Sequence, residues 1–294
     1  MAKIHFLGVG KMGLPMASHL KNAGHAVSVS DPSDERLSLA RSAGLAVAEP
    51  SALAHAEFVL SSLPHDAALL AVGEQVAQTA SAGAVYVDTS TVSLAASAQV
   101  AERCGARGIA YLRTTVSGNN KMAEAAQLTV MASGSRAAYE RCEPLLACWG
   151  PQRFYLGDAE QARLMKLVVN LLIAQTSAML AEGLTLGRKG GLDWQDMWQV
   201  LCASAVGSPI LKAKSVQLSQ RDFTPTFTVE QMIKDLELIV GAARDVHAPL
   251  PQTAATLQLM HAAVAQGQAL DDYAAIIQAV ERSAGLATDL ERKA

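Results

Sequence analysis

Aromatic residues make up only 4% of this 294-residue chain, and only 17% of its residues are charged. The formal net charge is -3, and no long basic cluster occurs. Nothing electrostatic therefore favours nucleic acid or an anionic membrane as a partner. Cysteine is scarce as well. Cys104, Cys142, Cys148 and Cys202 have no C-x-x-C spacing and no neighbouring histidine pair, which argues against a structural zinc. They are expected to be reduced, mostly buried thiols in a cytoplasmic protein. The seven histidines are scattered without ligand or triad spacing. Long hydrophobic runs are missing too. The most apolar one, Leu167 to Ala174, is interrupted by Asn170 and is too short to span a bilayer. The N-terminal run breaks at Gly8, short of a signal peptide. There is no solenoid-period repeat and no low-complexity tail.

Half of the residues are hydrophobic, with many alanines, enough for two domains that each have a core. The first half alternates strand-like runs (Ile4–Val9, Ala26–Ser30, Phe58–Leu63, Ala84–Asp88, Ile109–Arg113) with amphipathic segments such as Met12–Asn22 and Ala67–Thr79. That alternation predicts an α/β domain around a parallel sheet with right-handed crossovers. Leu128–Ala132 and Arg153–Leu156 flank a further helix whose N-cap is Ser135. From about residue 159 the pattern is helical only, with stretches near Trp194–Ser204, Val229–Val246, Pro251–Ala265 and Tyr273–Arg282. The expected organisation is a first domain over 1–160 and an all-helical second domain over 161–294, joined by a long helix that starts near 159.

Gly8-Val9-Gly10-Lys11-Met12-Gly13 is a G-x-G-x-x-G between the first strand and the first helix. Gly8 permits a tight turn, Gly10 lets the backbone approach a pyrophosphate, and Gly13 allows close helix–strand packing. The helix N-terminus then offers N–H groups and positive potential to the phosphates. Asp31 follows Gly8 by 23 residues, where an acid would hold the adenosine ribose 2′-OH and repel a 2′-phosphate. The next residue is Pro32 and not an arginine. NAD is therefore expected over NADP. The bland alternative is that Asp31 caps the turn before Pro32 and Ser33.

The glycine run continues as Leu14-Pro15-Met16-Ala17-Ser18-His19-Leu20 and closely resembles the opening of the β-hydroxyacid dehydrogenase family, which includes 3-hydroxyisobutyrate dehydrogenases and tartronate semialdehyde reductases. Further resemblances follow in order: Ser62-Leu63-Pro64, Val87-Asp88-Thr89-Ser90-Thr91, Val116-Ser117-Gly118, Lys166 with Asn170, Asp222-Phe223 with Phe227, and Lys234-Asp235-Leu236. They cover nearly the whole chain. The resemblance implies a Rossmann-like N-terminal domain, a helical C-terminal domain, and a homodimer or homotetramer. Beside Gly8, Gly10, Lys11, Met12, Gly13 and Asp31, it implies cofactor contacts at Leu63, Pro64, Thr91 and Lys234.

It also implies a reaction, the transfer of hydride between nicotinamide and the 3-position of a short 3-hydroxy acid, or its aldehyde or ketone. Lys166 would be the general acid/base, in a mostly apolar helical run where partial burial lowers an ammonium pKa. Asn170 lies four residues on, on the same helix face. On periodicity alone, a lysine whose head reaches water is the better account of Lys166, and the family pattern reverses that. Ser117, Gly118 and Asn119 would meet the substrate carboxylate, with an ordinary turn as the alternative. Lys234 would reach the nicotinamide and substrate region, against a solvated cation paired with Glu230 or Glu237. The family's D-A-P-V-S-G-G reads here as Arg113-Thr114-Thr115-Val116-Ser117-Gly118-Asn119. This departure suggests a modified hydroxy acid, with Asn119 bonding an extra polar group. Other readings are an imine reductase or reductive aminase, which usually replaces the lysine, and a non-catalytic dehydrogenase-like binding module. The related 6-phosphogluconate dehydrogenases carry a histidine before the asparagine, where Val169 stands here.

Overall fold

A computed structural model describes residues 1–286. The last positions of the expected second domain, 287–294, lie outside the described residues. Two compact units are present, Met1–Leu167 and one that begins at Val168.

The first unit is built on eight strands: β1 (Lys3–Leu7), β2 (Ala26–Ser30), β3 (Ala46–Val47), β4 (Phe58–Ser61), β5 (Val85–Asp88), β6 (Ala110–Ser117), β7 (Thr129–Ser133) and β8 (Gln152–Tyr155). Their order in the sheet is β3-β2-β1-β4-β5-β6-β7-β8. Every pairing is parallel except β6 with β7. The crossovers run through α1 (Gly13–Asn22), α2 (Asp34–Ser42), α3 (Asp66–Thr79) and α4 (Leu94–Gly105), with α5 (Asn120–Glu124) and α6 (Arg136–Leu146) later.

Both faces of this sheet are covered, so its central strands are apolar runs rather than alternating ones. The period of two then divides residues between two cores. Ile4, Phe6, Phe58, Leu60, Val85 and Val87 pack into one. Leu7, Val59 and Tyr86 pack into the other. His5 is fully buried in β1, and its ring nitrogens meet the Ser28 and Ser30 hydroxyls at 2.8 and 3.0 Å.

The second unit holds most of α7 (Gln161–Lys189), then α8 (Trp194–Ala203), α9 (Pro209–Leu218), α10 (Val229–Asp245), α11 (Pro251–Ala265) and α12 (Ile276–Ser283). The division between the units falls inside α7. By length and apolar composition alone α7 could cross a membrane. However, its Arg163, Asn170 and Ser177 are buried polar residues within the fold. Cys104 and Cys142 are buried while Cys148 and Cys202 are only half-buried, and all four are free thiols.

Three features depart from the sequence expectation. β3 has two residues, too few to carry a pattern. α9 was not anticipated, although Ser208 caps it and Pro209 opens it, both start signals. β6 runs on to Ser117 instead of ending at Arg113, because Arg113–Ser117 pairs with β7. Arg113, Thr114 and Thr115 are therefore buried strand residues.

Candidate active site

The loops after β1, β2, β4, β5 and β6 leave the sheet at one edge, because those strands are mutually parallel. β1 lies between β2 and β4, where the chain order reverses. Dinucleotides bind outside the carboxyl ends of strands at such a switch point.

The glycine loop fills that place, and its three glycines have separable reasons. Gly8 has φ +86°, and a Cβ there would stand 2.4 Å from the Ser62 carbonyl oxygen. A Cβ on Gly13 would be 2.0 Å from the Gly8 carbonyl oxygen. The fold itself demands both. A Cβ on Gly10 would meet nothing within 4 Å. No protein atom explains glycine at that position, whereas close approach of a pyrophosphate does. Behind it, α1 has no side-chain cap and no acid in its first turn, so its N–H groups and positive pole stay open to an anion. Lys11 is exposed beside it, and the Met12 side chain packs half-buried on the core. The residues present fit a dinucleotide.

Asp31 is half-buried just past β2. The Val9 N–H donates to its Oδ2 at 2.8 Å and the Ser33 N–H to its Oδ1 at 2.9 Å. It thus braces the glycine loop and also makes the turn that the bland reading foresaw. Each oxygen keeps acceptor capacity for a ribose hydroxyl. The Leu63 N–H donates to Ser90 Oγ at 2.8 Å, which fixes the Leu63–Pro64 loop against the segment that ends at Thr91.

Ser117 ends β6. Gly118 has φ +138°, and a Cβ there would come within 2.7 Å of Leu128 Cδ2. Asn119 Oδ1 accepts the Met122 N–H at 3.0 Å and caps α5. Its Nδ2 and the second lone pair of Oδ1 remain for the substrate role expected from the sequence. Arg113 is paired with Glu160, and its guanidinium lies 4.9 Å over the Tyr111 ring.

Lys166 is half-buried on α7, and Asn170, one turn on, is buried. Within the second unit the Asn170 Nδ2 donates to Asp235 Oδ2 at 2.5 Å, and Lys234 Nζ lies 2.9 Å from Asp235 Oδ1. Asp235 is 1% exposed. Its carboxylate thus unites Asn170 and Lys234, and it points the amide Oδ1 away from itself. The ion pair of Lys234 with this neighbouring residue was not among the partners that the sequence suggested. Asp235 had no role in the sequence reading, yet a signal existed. It lies on the buried face of α10 with Met232, Leu236 and Ile239, and an acid at a core position needs a partner.

A family model described as the NAD binding domain of 6-phosphogluconate dehydrogenase matches residues 3–157. One described as NAD-binding of NADP-dependent 3-hydroxyisobutyrate dehydrogenase matches residues 161–280. The chloroplastic glyoxylate/succinic semialdehyde reductase 2 of Arabidopsis thaliana is 32% identical over 95% of this chain and 79% of its own. The 2-(hydroxymethyl)glutarate dehydrogenase of Eubacterium barkeri is 32% identical over 97% and 96%. The 3-hydroxyisobutyrate dehydrogenase of Mycobacterium tuberculosis, in a structure with L-serine, superposes with a TM-score of 0.86 at 29% identity over 95% of this chain and 98% of that one. An imine reductase from Pseudomonas shares the fold at a TM-score of 0.62 and 22% identity, covering 95% and 99%. The chain belongs to the 3-hydroxyisobutyrate dehydrogenase-like family, pyridine-nucleotide-dependent oxidoreductases that act on CH–OH groups.

Proposed function

We propose that this protein interconverts a short 3-hydroxy acid and its aldehyde or ketone with NAD as cofactor, Lys166 serving as the general acid/base. The observation that carries the reading is the one-turn spacing of Lys166 and Asn170 on α7, with the Asn170 amide locked onto a buried carboxylate. The glycine loop at residues 8–13 and Asp31 would hold the dinucleotide, which would supply the hydride acceptor for the carbinol carbon, or the donor in the reverse direction.

Lys166 Nζ, as the free amine, takes the hydroxyl proton in oxidation and returns it in reduction. Asn170 presents its Oδ1 because its Nδ2 is held by Asp235. That oxygen accepts a hydrogen bond from a Lys166 Nζ–H and so orients the amine toward the hydroxyl. Ser117 and the backbone at Gly118 bind the substrate carboxylate. The relatives' names support this class, since glyoxylate, succinic semialdehyde and hydroxymethylglutarate all join a carboxylate to an aldehyde or a hydroxymethyl group. NAD is favoured over NADP because the Asp31 carboxylate would face a 2′-phosphate.

The test compares NADH and NADPH binding by fluorescence, then turnover of a panel of short 3-hydroxy acids and aldehydes. Tighter NADPH binding would reject the cofactor choice, and inactivity on the whole panel would reject the substrate class. A homodimer or homotetramer is part of the same reading. Leu164, Val168, Leu172, Met179 and Leu186 form an apolar stripe along α7, each 42 to 75% exposed. Sizing chromatography checks it, and a monomer at micromolar concentration would count against it.

A further inference from the structure

We propose that Arg163 is a positioning residue that sets the rotation of the first turns of α7, and with it the direction of Lys166. The inference rests on the reading of Lys166 as the acid/base.

The Arg163 guanidinium is fully buried. It donates to the Asp88 carboxylate, the Ser90 carbonyl, Ser97 Oγ at 3.2 Å and the Tyr111 hydroxyl at 2.9 Å. The other Asp88 oxygen accepts from the Ser61 hydroxyl and, at 2.6 Å, from Ser90 Oγ. Ser90 Oγ in turn accepts the Leu63 N–H. One hydrogen-bonded chain therefore runs from the Leu63 backbone through Ser90 and Asp88 to α7, three residues before Lys166. Its far end carries the loops that would flank the cofactor, Leu63–Pro64 and Ser90–Thr91. Its near end carries the proposed proton acceptor.

A planar guanidinium held by four acceptors on different elements has one orientation, which a single ammonium would lack. Residues three apart share a helix face, so fixing Arg163 fixes the side on which Lys166 emerges. A slip of one residue would turn the lysine by about 100°. Stability alone does not call for this arrangement, since a well-packed apolar group is often as stable as a buried ion pair. Further contacts hold the helix start in place beside it, and the Ala162 N–H donates to Ser133 Oγ at 3.0 Å. Ser133 Oγ donates to the Ala159 carbonyl at 2.7 Å, Thr115 Oγ1 donates to the Ala162 carbonyl at 2.9 Å, and Arg113 pairs with Glu160.

The test measures steady-state rates, cofactor binding and pH profiles for Arg163→Met, Arg163→Lys and Ser97→Ala, with Lys166→Ala as reference. Rates are normalised to the number of cofactor-binding sites. Arg163→Met is expected to lower kcat about 10- to 100-fold, with the substrate KM and cofactor Kd within about 3-fold and the pH profile of kcat displaced. Arg163→Lys should recover part of the loss, and Ser97→Ala should cost about 2- to 5-fold. A merely structural role would lower the melting temperature and the folded fraction but leave the normalised kcat and its pH profile at wild-type values. That result would overturn the proposal. If Arg163→Met does not fold, Arg163→Lys and Ser97→Ala decide by the same criterion. An inactive Lys166→Ala beside full-rate Arg163 variants sinks this proposal alone. A Lys166→Ala enzyme at the wild-type rate sinks the acid/base reading and this proposal with it.

Discussion

Asn170 and Asp235, 65 residues apart in sequence, meet in a 2.5 Å hydrogen bond in which the amide Nδ2 donates to the carboxylate. An amide has two chemically different ends, and this bond decides which one faces away. Asp235→Asn keeps the shape but offers the Asn170 amide either end of another amide and removes the charge beside Lys234. It is expected to lower kcat about 10-fold or more, with a smaller change in cofactor Kd. Combined with Asn170→Ala, it should add much less than its single effect, which a double-mutant cycle on kcat measures.

Lys166→Ala should reduce kcat by about 10²- to 10⁴-fold, the usual worth of a positioned acid/base, while cofactor binding stays within about 2-fold. Stopped-flow single turnovers with saturating cofactor separate the chemical step from release. Loss of binding without loss of the chemical step would contradict the assigned role.

The glycine loop gives an internal control. Gly10→Ala should fold normally, because its Cβ meets nothing in the protein, yet lose cofactor affinity about 10-fold or more. Gly13→Ala should fail to fold or melt far lower, since its Cβ would overlap the Gly8 carbonyl oxygen. Thermal melts together with cofactor titration separate the two. Equal affinity in Gly10→Ala and wild type would remove the pyrophosphate from that spot.

Stability should fall in mild acid through His5. Burial pulls its pKa from 6.5 down to about 4. Above pH 6.5 the imidazole is neutral in both states and contributes no pH dependence. As pH falls from 6.5 to 4, the unfolded chain binds a proton that the folded chain refuses, so stability is lost across that window and levels off below it. His5→Gln should flatten this part of a melting-temperature profile taken from pH 8 to 4. An unchanged slope would assign the acid sensitivity elsewhere.

Much of the fold was legible because its signals are local. Pro251–Ala265 was read to the residue, and Ser135 was recognised as the cap of α6, both from punctuation within a few residues. The glycine loop was legible for the same reason, since its steric demands act between neighbouring elements of one crossover. Arg113 was not legible. As a cation in place of the family's acid it suggested a change of substrate, whereas it is buried against Glu160. Asn119 also caps α5 through its Oδ1, a structural role that the sequence reading did not assign.

By itself, then, the sequence determined most of the order of elements, the parallel α/β character, the place of the glycine loop and the spacing of the lysine–asparagine pair. Periodicity, turn chemistry and motif spacing act over a few residues and are written directly in the chain. Tertiary structure alone decided which carboxylate holds which group: Asp88 takes Arg163, Glu160 takes Arg113, and Asp235 takes Asn170 and Lys234. A buried charge must find its counter-charge wherever folding brings one, and no local pattern records a partner 75 residues away along the chain, as Asp88 is from Arg163.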